Sequence, residues 1–292
     1  MFSPLFIRIN IKEMERKKVT KNIGLLTGKV LVFGGAYSNY QALKKMQEIA
    51  TELNIPSTNI LNTGDVVGYC AQPEEVVQLT KEWGVHTILG NVEIQLRENQ
   101  LDCGCDFREG SRCDLFSSQW YPYSKTKLSQ NAIDWMQTLP DYIQFEYLNL
   151  KGIVLHGSYF ETAGYIFKST GWSQKEKNFN ASKTDLIIAG HSGLPFSDTR
   201  ENKHWINAGV IGMPANDATT RVWYLILDTN KEGQLTAKHH SFTYNNEEAS
   251  RLMKINKLPE AYATTLNTGL WDNCEILPEQ ETEKQGVNLV FE

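Results

Sequence analysis

The sequence predicts a layered α/β fold, an α/β/β/α sandwich built as one domain, and three observations carry it. Short apolar strand patterns alternate with helix patterns from residue 29 onward. The strands fall into two separate runs, which a single wound sheet does not account for. The 292 residues are 41% hydrophobic and include 12 Tyr, 12 Phe and 7 Trp, enough to fill a sizeable core.

The elements follow in order. KVLVFGG (29–35) reads as a buried strand, and YQALKKMQEIATELN (40–54) as a helix whose apolar face is Leu43, Met46, Ile49, Ala50 and Leu53. NILNTGDVVG (59–68) is a second strand ending in a Gly-Asp turn. PEEVVQLTKEWG (73–84) is a helix opened by Pro73 and two glutamates and closed by Gly84. VHTILGN (85–91) is a third strand, and the βαβαβ order implies parallel pairing. Residues 97–125 are too rich in Gly, Cys and charge to read as regular. SQNAIDWMQTLP is a helix capped by Ser129, and DYIQFEYLNLKGIVLHGS (141–158) a hairpin. TDLIIAGHS, HWINAGVIG, TRVWYLILD and LTAKHHSFTY are four further strands, and residues 247–271 are helical. Residues 1–28 read as an N-terminal extension without fixed structure, 29–274 as the domain and 275–292 as a loose acidic tail.

Composition excludes several functions. A net charge of −5 lacks the basic surface that non-specific nucleic-acid or anionic-membrane binding needs. The N-terminal apolar patch is too short and too charged for a signal peptide, and no run reaches membrane-spanning length. Five cysteines, an odd number, suit a reducing compartment, so the expected location is cytoplasmic.

Four strands end on a residue able to bind a metal: Asp65, Asn91, His156 and His191. Glycine precedes three of them and follows His156, which lets the backbone turn sharply off the sheet edge. Loops at strand C-termini converge in α/β folds, so the four can meet at one point. A carboxylate, an amide oxygen and two imidazoles suit Mn, Fe or Zn. Each residue taken singly also fits an ordinary turn or hydrogen-bonding role.

In this order, GD (64–65), GN (90–91), HG (156–157) and GH (190–191) resemble the calcineurin-like metallophosphoesterase family. GDVVGYCAQPEEVV (64–77) is similar to the GDxVGYGxxPxEVV form of bacterial members. GHSGLPF (190–196) resembles GHTHxPF, INAGVIGMP (206–214) resembles INPGSVGxP, and LPEAYATTLNTGLW (258–271) resembles the tail of that bacterial subgroup. The resemblance implies a sandwich of the metallophosphoesterase type and a second-metal ligand set of Asp65, Asn91, His156 and His191. It also shows losses. In LVFGGAYSNYQAL (31–43) the family's D-x-H-G-N turn, aligned on Asn39, places Gly35 at the aspartate and Tyr37 at the histidine. Gly193 falls on the second histidine of GHTH, and Val92 on the histidine of GNH(D/E). The first metal site is therefore degenerate and the second complete, which implies one divalent ion.

The expected function is a divergent metal-dependent phosphoesterase, hydrolysing a phosphomonoester or phosphodiester with that single site. The alternative is a pseudoenzyme that holds a metal, a nucleotide or a phosphorylated ligand without turnover. Either way the partner is a small phosphorylated molecule. Without an imidazole at Val92 the reaction lacks a proton donor, and Glu93 and His204 are candidates to replace it. Cys103, Cys105 and Cys113, with Cys70 on the same side, form either a second metal or thiol site or a loop of free and paired thiols. Arg97, Arg108 and Arg112 flank that loop, as phosphate contacts or as solvated charges. His239 and His240 alternate in and out on one strand.

Overall fold

The computed structural model describes residues 16–105 and 107–291. The strand pattern at 29–35 folds as β2 (Val30–Phe33), every residue of which is buried. It follows β1 (Thr20–Leu25) and precedes α1 (Tyr40–Glu52), β3 (Ile60–Asn62), α2 (Pro73–Trp83), β4 (His86–Thr87) and α3 (Asn91–Arg97). Next come α4 (Arg112–Lys127), α5 (Gln130–Gln137), β5 (Tyr142–Tyr147), β6 (Leu150–Val154), α6 (Trp172–Ser182), β7 (Leu186–Ala189), β8 (Phe196–Arg200) and β9 (Lys203–Asn207). The chain finishes with β10 (Val222–Thr229), β11 (Leu235–Phe242), α7 (Asn246–Ile255), α8 (Glu260–Thr268) and α9 (Glu279–Thr282).

The strands form two sheets, ordered β1-β5-β6-β7-β9-β8 and β11-β10-β2-β3-β4. Because side chains alternate along a strand, each sheet presents two apolar faces. Val30 and Val32 of β2, with Leu225 and Leu227 of β10, meet Ile143 and Phe145 of β5 and Ile188 of β7 between the sheets. The outer face of the five-stranded sheet, including Leu31, Phe33 and Ile60, packs under the helical layer that contains Leu43, Met46 and Met253. Ile153, Ile187 and Trp205 face Phe179 of α6 on the other side. The order helix, sheet, sheet, helix is the predicted sandwich. Each fully buried aliphatic side chain in it contributes about 1.5–3 kcal/mol.

β2, β3 and β4 run parallel in one sheet, and β6, β7 and β9 run parallel in the other. Loops leaving both sets converge at one edge of the sandwich, where the polar residues lie. No helix among the described residues is long and apolar enough to cross a membrane.

Four expectations need correction. Residues 20–25 are β1, which joins the six-stranded sheet by parallel pairing to β5, so the N-terminal extension is not loose there; residues 1–15 lie outside the described residues. The third strand shrinks to two residues, because Asn91 starts α3. The cysteine segment carries the sixteen-residue helix α4, whose buried side is Cys113, Ser117, Trp120, Tyr121 and Ser124. The acidic tail is also attached. Glu281 accepts from Ser169 N (3.0 Å), Leu289 N donates to Asp217, and Phe291 stacks on His239 at 4.4 Å.

Candidate metal centre

Each polar residue of the edge is aimed by its own loop. After β3 the backbone enters the left-handed region at Gly64 (φ 90°) and Asp65 (φ 53°), a conformation that Gly adopts freely and Asp tolerates. Gly90 lies directly against this turn, and a Cβ there would fall onto the Asp65 carboxylate. Asp65 and Asn91 are thus brought together by two glycine turns packed backbone to backbone. His156 follows β6 and His191 follows β7, and their rings lie 4.9 Å apart.

His156 is the hub. Its Nδ1 lies 2.7 Å from the Thr63 carbonyl, which only accepts, so Nδ1 carries a hydrogen and donates. Nε2 then faces Asp65 Oδ2, Asn91 Oδ1 and His191 Nδ1, each at 3.1 Å. Asn91 is oriented with its oxygen inward, because its Nδ2 donates to the Cys103 carbonyl (3.0 Å) and to Cys105 Sγ (3.2 Å). All four residues are buried, and Asp65, His156 and His191 offer ligand atoms within 4.8 Å of one another.

Burial penalises a charge on His156, but the Asp65 carboxylate outweighs it and raises that imidazole above its usual range. Burial likewise pushes Asp65 up, and His156 more than offsets it, leaving the carboxyl lowered. His191, buried and beside His156, is depressed to about 3 and presents a neutral ring. The donor set fits a divalent cation. Bonds of about 2.1 Å from nitrogen and oxygen put adjacent donors about 3.0 Å apart, close to the separations observed here.

Glu93 is the member whose role the sequence did not convey. It is fully buried and accepts from three backbone N–H groups: Asp65 (2.8 Å), Gly90 (2.9 Å) and Val67 (3.0 Å). Its carboxyl, pushed up to about 7 by burial and then by Asp65, braces both glycine turns and does not face the pocket as a free acid. The signal was present as Gly90-x-x-Glu93, an acidic residue at the third helical position whose carboxylate reaches back to the N–H of the N-cap residue. His204, the other candidate acid, stands at the opening end of β9 beside Thr199 (3.2 Å), whereas the centre lies past the closing end.

Beside the four donors the pocket turns aromatic. Tyr37 lies over Gly35, where an added Cβ would sit 2.6 Å from the ring. Burial raises the Tyr37 hydroxyl well above its usual value and keeps it protonated. At Gly193 an added Cβ would sit 3.8 Å from the Trp271 indole. Val92 points an isopropyl group into the core, and its N–H donates to Asp65 Oδ1 (3.3 Å). Asn39 caps α1 through Ala42 N and donates to Gly212 O (3.1 Å), so the opening turn anchors the helix.

The four cysteines do not assemble. Cys103 is bonded to Cys105. Burial pushes the Cys70 thiol up within the main core, and Cys113, pushed up to about 11, faces Asn273. Among the described residues, the group of three or more acidic, His or Cys side chains that can share an ion is Asp65, His156 and His191. Of the arginines, Arg112 pairs with Asp272 at the edge of the pocket over the centre, Arg97 lies near Arg16 and Asp141, and Arg108 is exposed. His239 is buried against the Asn207 carbonyl (2.8 Å) while His240 is exposed, the alternation expected of their strand.

Comparison with known proteins agrees with this architecture. Residues 30–232 match the calcineurin-like phosphoesterase superfamily domain. The uncharacterized protein MJ0912 of Methanocaldococcus jannaschii is 24% identical over 249 residues, spanning 79% of this chain and 94% of its own. A metallophosphoesterase from Sphaerobacter thermophilus superposes with a TM-score of 0.65 at 21% identity, over 84% of this chain and 100% of that one. The hypothetical protein PH1004 from Pyrococcus horikoshii OT3 gives 0.69 at 20% identity, over 83% and 99%. Those structural likenesses establish a common fold, and the domain match extends over most of the chain. This chain belongs to the calcineurin-like phosphoesterase superfamily.

Proposed function

We propose that this chain is a metal-dependent phosphoesterase acting on a small phosphorylated substrate, with one divalent ion (Mn, Fe or Zn) held by Asp65, Asn91, His156 and His191. The observation that carries this reading is the set of three buried donor atoms, each 3.1 Å from His156 Nε2. When bound there, a divalent ion supplies Lewis acidity toward a phosphoryl oxygen and lowers the pKa of water toward about 7.

The chain's own residues set the rest. The Thr63 carbonyl fixes the His156 tautomer, and the Cys103 carbonyl turns the Asn91 oxygen inward. Glu93 holds the Asp65 and Gly90 turns in register. Val92 has no proton to give, so the leaving oxygen takes its proton from water, at a cost of roughly 10²–10⁴ in rate. Turnover is accordingly slow. The same deficit favours a second reading, a protein that holds metal and ligand without hydrolysis.

The test begins with protein purified without a metal-affinity column and analysed by mass spectrometry. About one ion per chain is expected, with Mn²⁺-stimulated hydrolysis of 4-nitrophenyl phosphate or its bis ester, and both are lost in His156→Ala. Absence of metal from the parent protein refutes the reading. A bound ion with no turnover moves the assignment to the binding role.

A further inference from the structure

The pocket over the metal centre is walled by rings. Tyr37 meets Tyr69 edge to face at 4.7 Å, Tyr69 meets Tyr262 at 4.8 Å, and Tyr165 lies over His191 at 4.5 Å. Trp271 completes the wall, its indole fixed by donation from Nε1 to the Pro214 carbonyl (2.8 Å). The pocket is open on one side with a cavity volume of about 80 Å³, and Asp65 and His191 belong to its lining. Among the described residues that line it, none is a lysine or arginine. Asp272 at the rim is engaged by Arg112, whose Nη2 donates to Oδ1 at 2.7 Å.

These features restrict what can enter. The charged side chains in this lining are the carboxylates of Asp65 and Asp272, so a phosphate with one negative charge meets less repulsion here than one with two. A phosphomonoester dianion brings a second charge to a wall that has no cation to receive it. The rings instead offer faces and edges suited to a flat apolar group. The volume admits about one ring with its edge toward the mouth.

We propose that this pocket selects a monoanionic phosphodiester bearing a single-ring aromatic ester group, with the ring between Tyr165 and Trp271 and the phosphate at the four-donor centre. The assignment rests on the metal-dependent reading and narrows it from phosphoesters in general to aryl diesters. Hydrolysis consumes one water and breaks one P–O bond. Phosphorus gains the hydroxyl, and the departing ester oxygen takes the proton, giving a phosphomonoester and an alcohol or phenol.

Diphenyl phosphate, diethyl phosphate and phenyl phosphate separate ring from charge. Calorimetry on Mn²⁺-loaded protein at pH 8 should rank diphenyl phosphate at least about tenfold tighter than either of the others. Trp271→Ala, which opens the wall, and Met213→Trp, which fills the pocket, should each bring the three to within about twofold. Equal affinities in the parent protein, or tightest binding of phenyl phosphate, overturn the proposal. Ring contact is read independently by saturation-transfer NMR on EDTA-stripped protein, where the diphenyl phosphate protons should receive saturation in the parent and lose it in Met213→Trp. Metal uptake with no ring preference defeats the pocket assignment alone. Ring contact without metal uptake defeats the metal reading alone.

Discussion

Two halves of one pocket floor make an instructive pair. In the first, Asp65, Asn91 and His191 converge on His156 Nε2. In the second, which shares the Gly34–Asn39 turn and the Gly190–Gly193 loop, rings stand in place of polar groups: Tyr37 over Gly35, and Trp271 beside Gly193. The backbone frame serves both. Ile211 N and Gly212 N donate to the Gly34 and Gly35 carbonyls, and Gly190 N donates to the His156 carbonyl, so the turns hold their shape whatever side chains they carry. A loop frame fixed by main-chain bonds and glycine can therefore keep one chemistry on one side while the other side is rebuilt as an apolar wall.

The largest effect expected of a single change is on the polar half. Glu93→Ala leaves the buried N–H groups of Asp65, Val67 and Gly90 without their acceptor, which should cost about 3–5 kcal/mol in urea unfolding. A loss under about 1 kcal/mol would mean that the two glycine turns stand without the brace. The aromatic half is probed by Gly35→Asp, whose Cβ would meet both Tyr37 and Val210 at a φ of 39°. It should destabilise by about 2 kcal/mol, and Tyr37→His should recover about half, giving clear non-additivity in a double-mutant cycle. Strict additivity would show that the ring and the missing side chain do not compete for one space.

The smallest effect concerns pH and the support of the His191 loop. His239 is depressed to about 4, by burial first, and bonds the Asn207 carbonyl, while the Asn207 side chain holds Gly190 and Ser192. Unfolded, this imidazole takes a proton near 6.5; folded, it does not until about 4. Between those values the unfolded chain binds more protons, so stability falls as pH falls. His239→Gln, which keeps a donor for Asn207, should remove about 1–2 kcal/mol of the loss between pH 6.5 and 5. Identical pH profiles for parent and variant would place the acid sensitivity elsewhere.

The legible part of the molecule was that written in local pattern. The α1 stripe at Leu43, Met46, Ile49 and Ala50, the buried strands and the glycine-flanked Asp65, His156 and His191 stand where periodicity and turn chemistry placed them, while Leu53 is exposed and Asn91 opens a helix. What was not legible depends on partners distant in sequence. β1 is exposed along most of its length and is held by main-chain pairing to β5, so no hydrophobic alternation marks it. In α4 the buried stripe at Cys113, Ser117, Trp120 and Ser124 has helical spacing, but two of its four positions are serines, so apolar periodicity does not mark it. Glu93 looked like a reagent because it is a carboxylate next to Val92, where the resemblance leaves a proton donor missing. Its three amide contacts exist only once the turns after β3 and β4 touch.

Trp271 and Ile276 line the pocket, yet both lie beyond residue 232, where the superfamily domain match ends. The wall of the opening is then formed partly by a stretch outside that domain match. Two members with the same core can carry different C-terminal segments across the same opening and accept different molecules. Sorting such proteins by their shared domain groups them by ancestry, and grouping them by diet requires comparing the segment that follows.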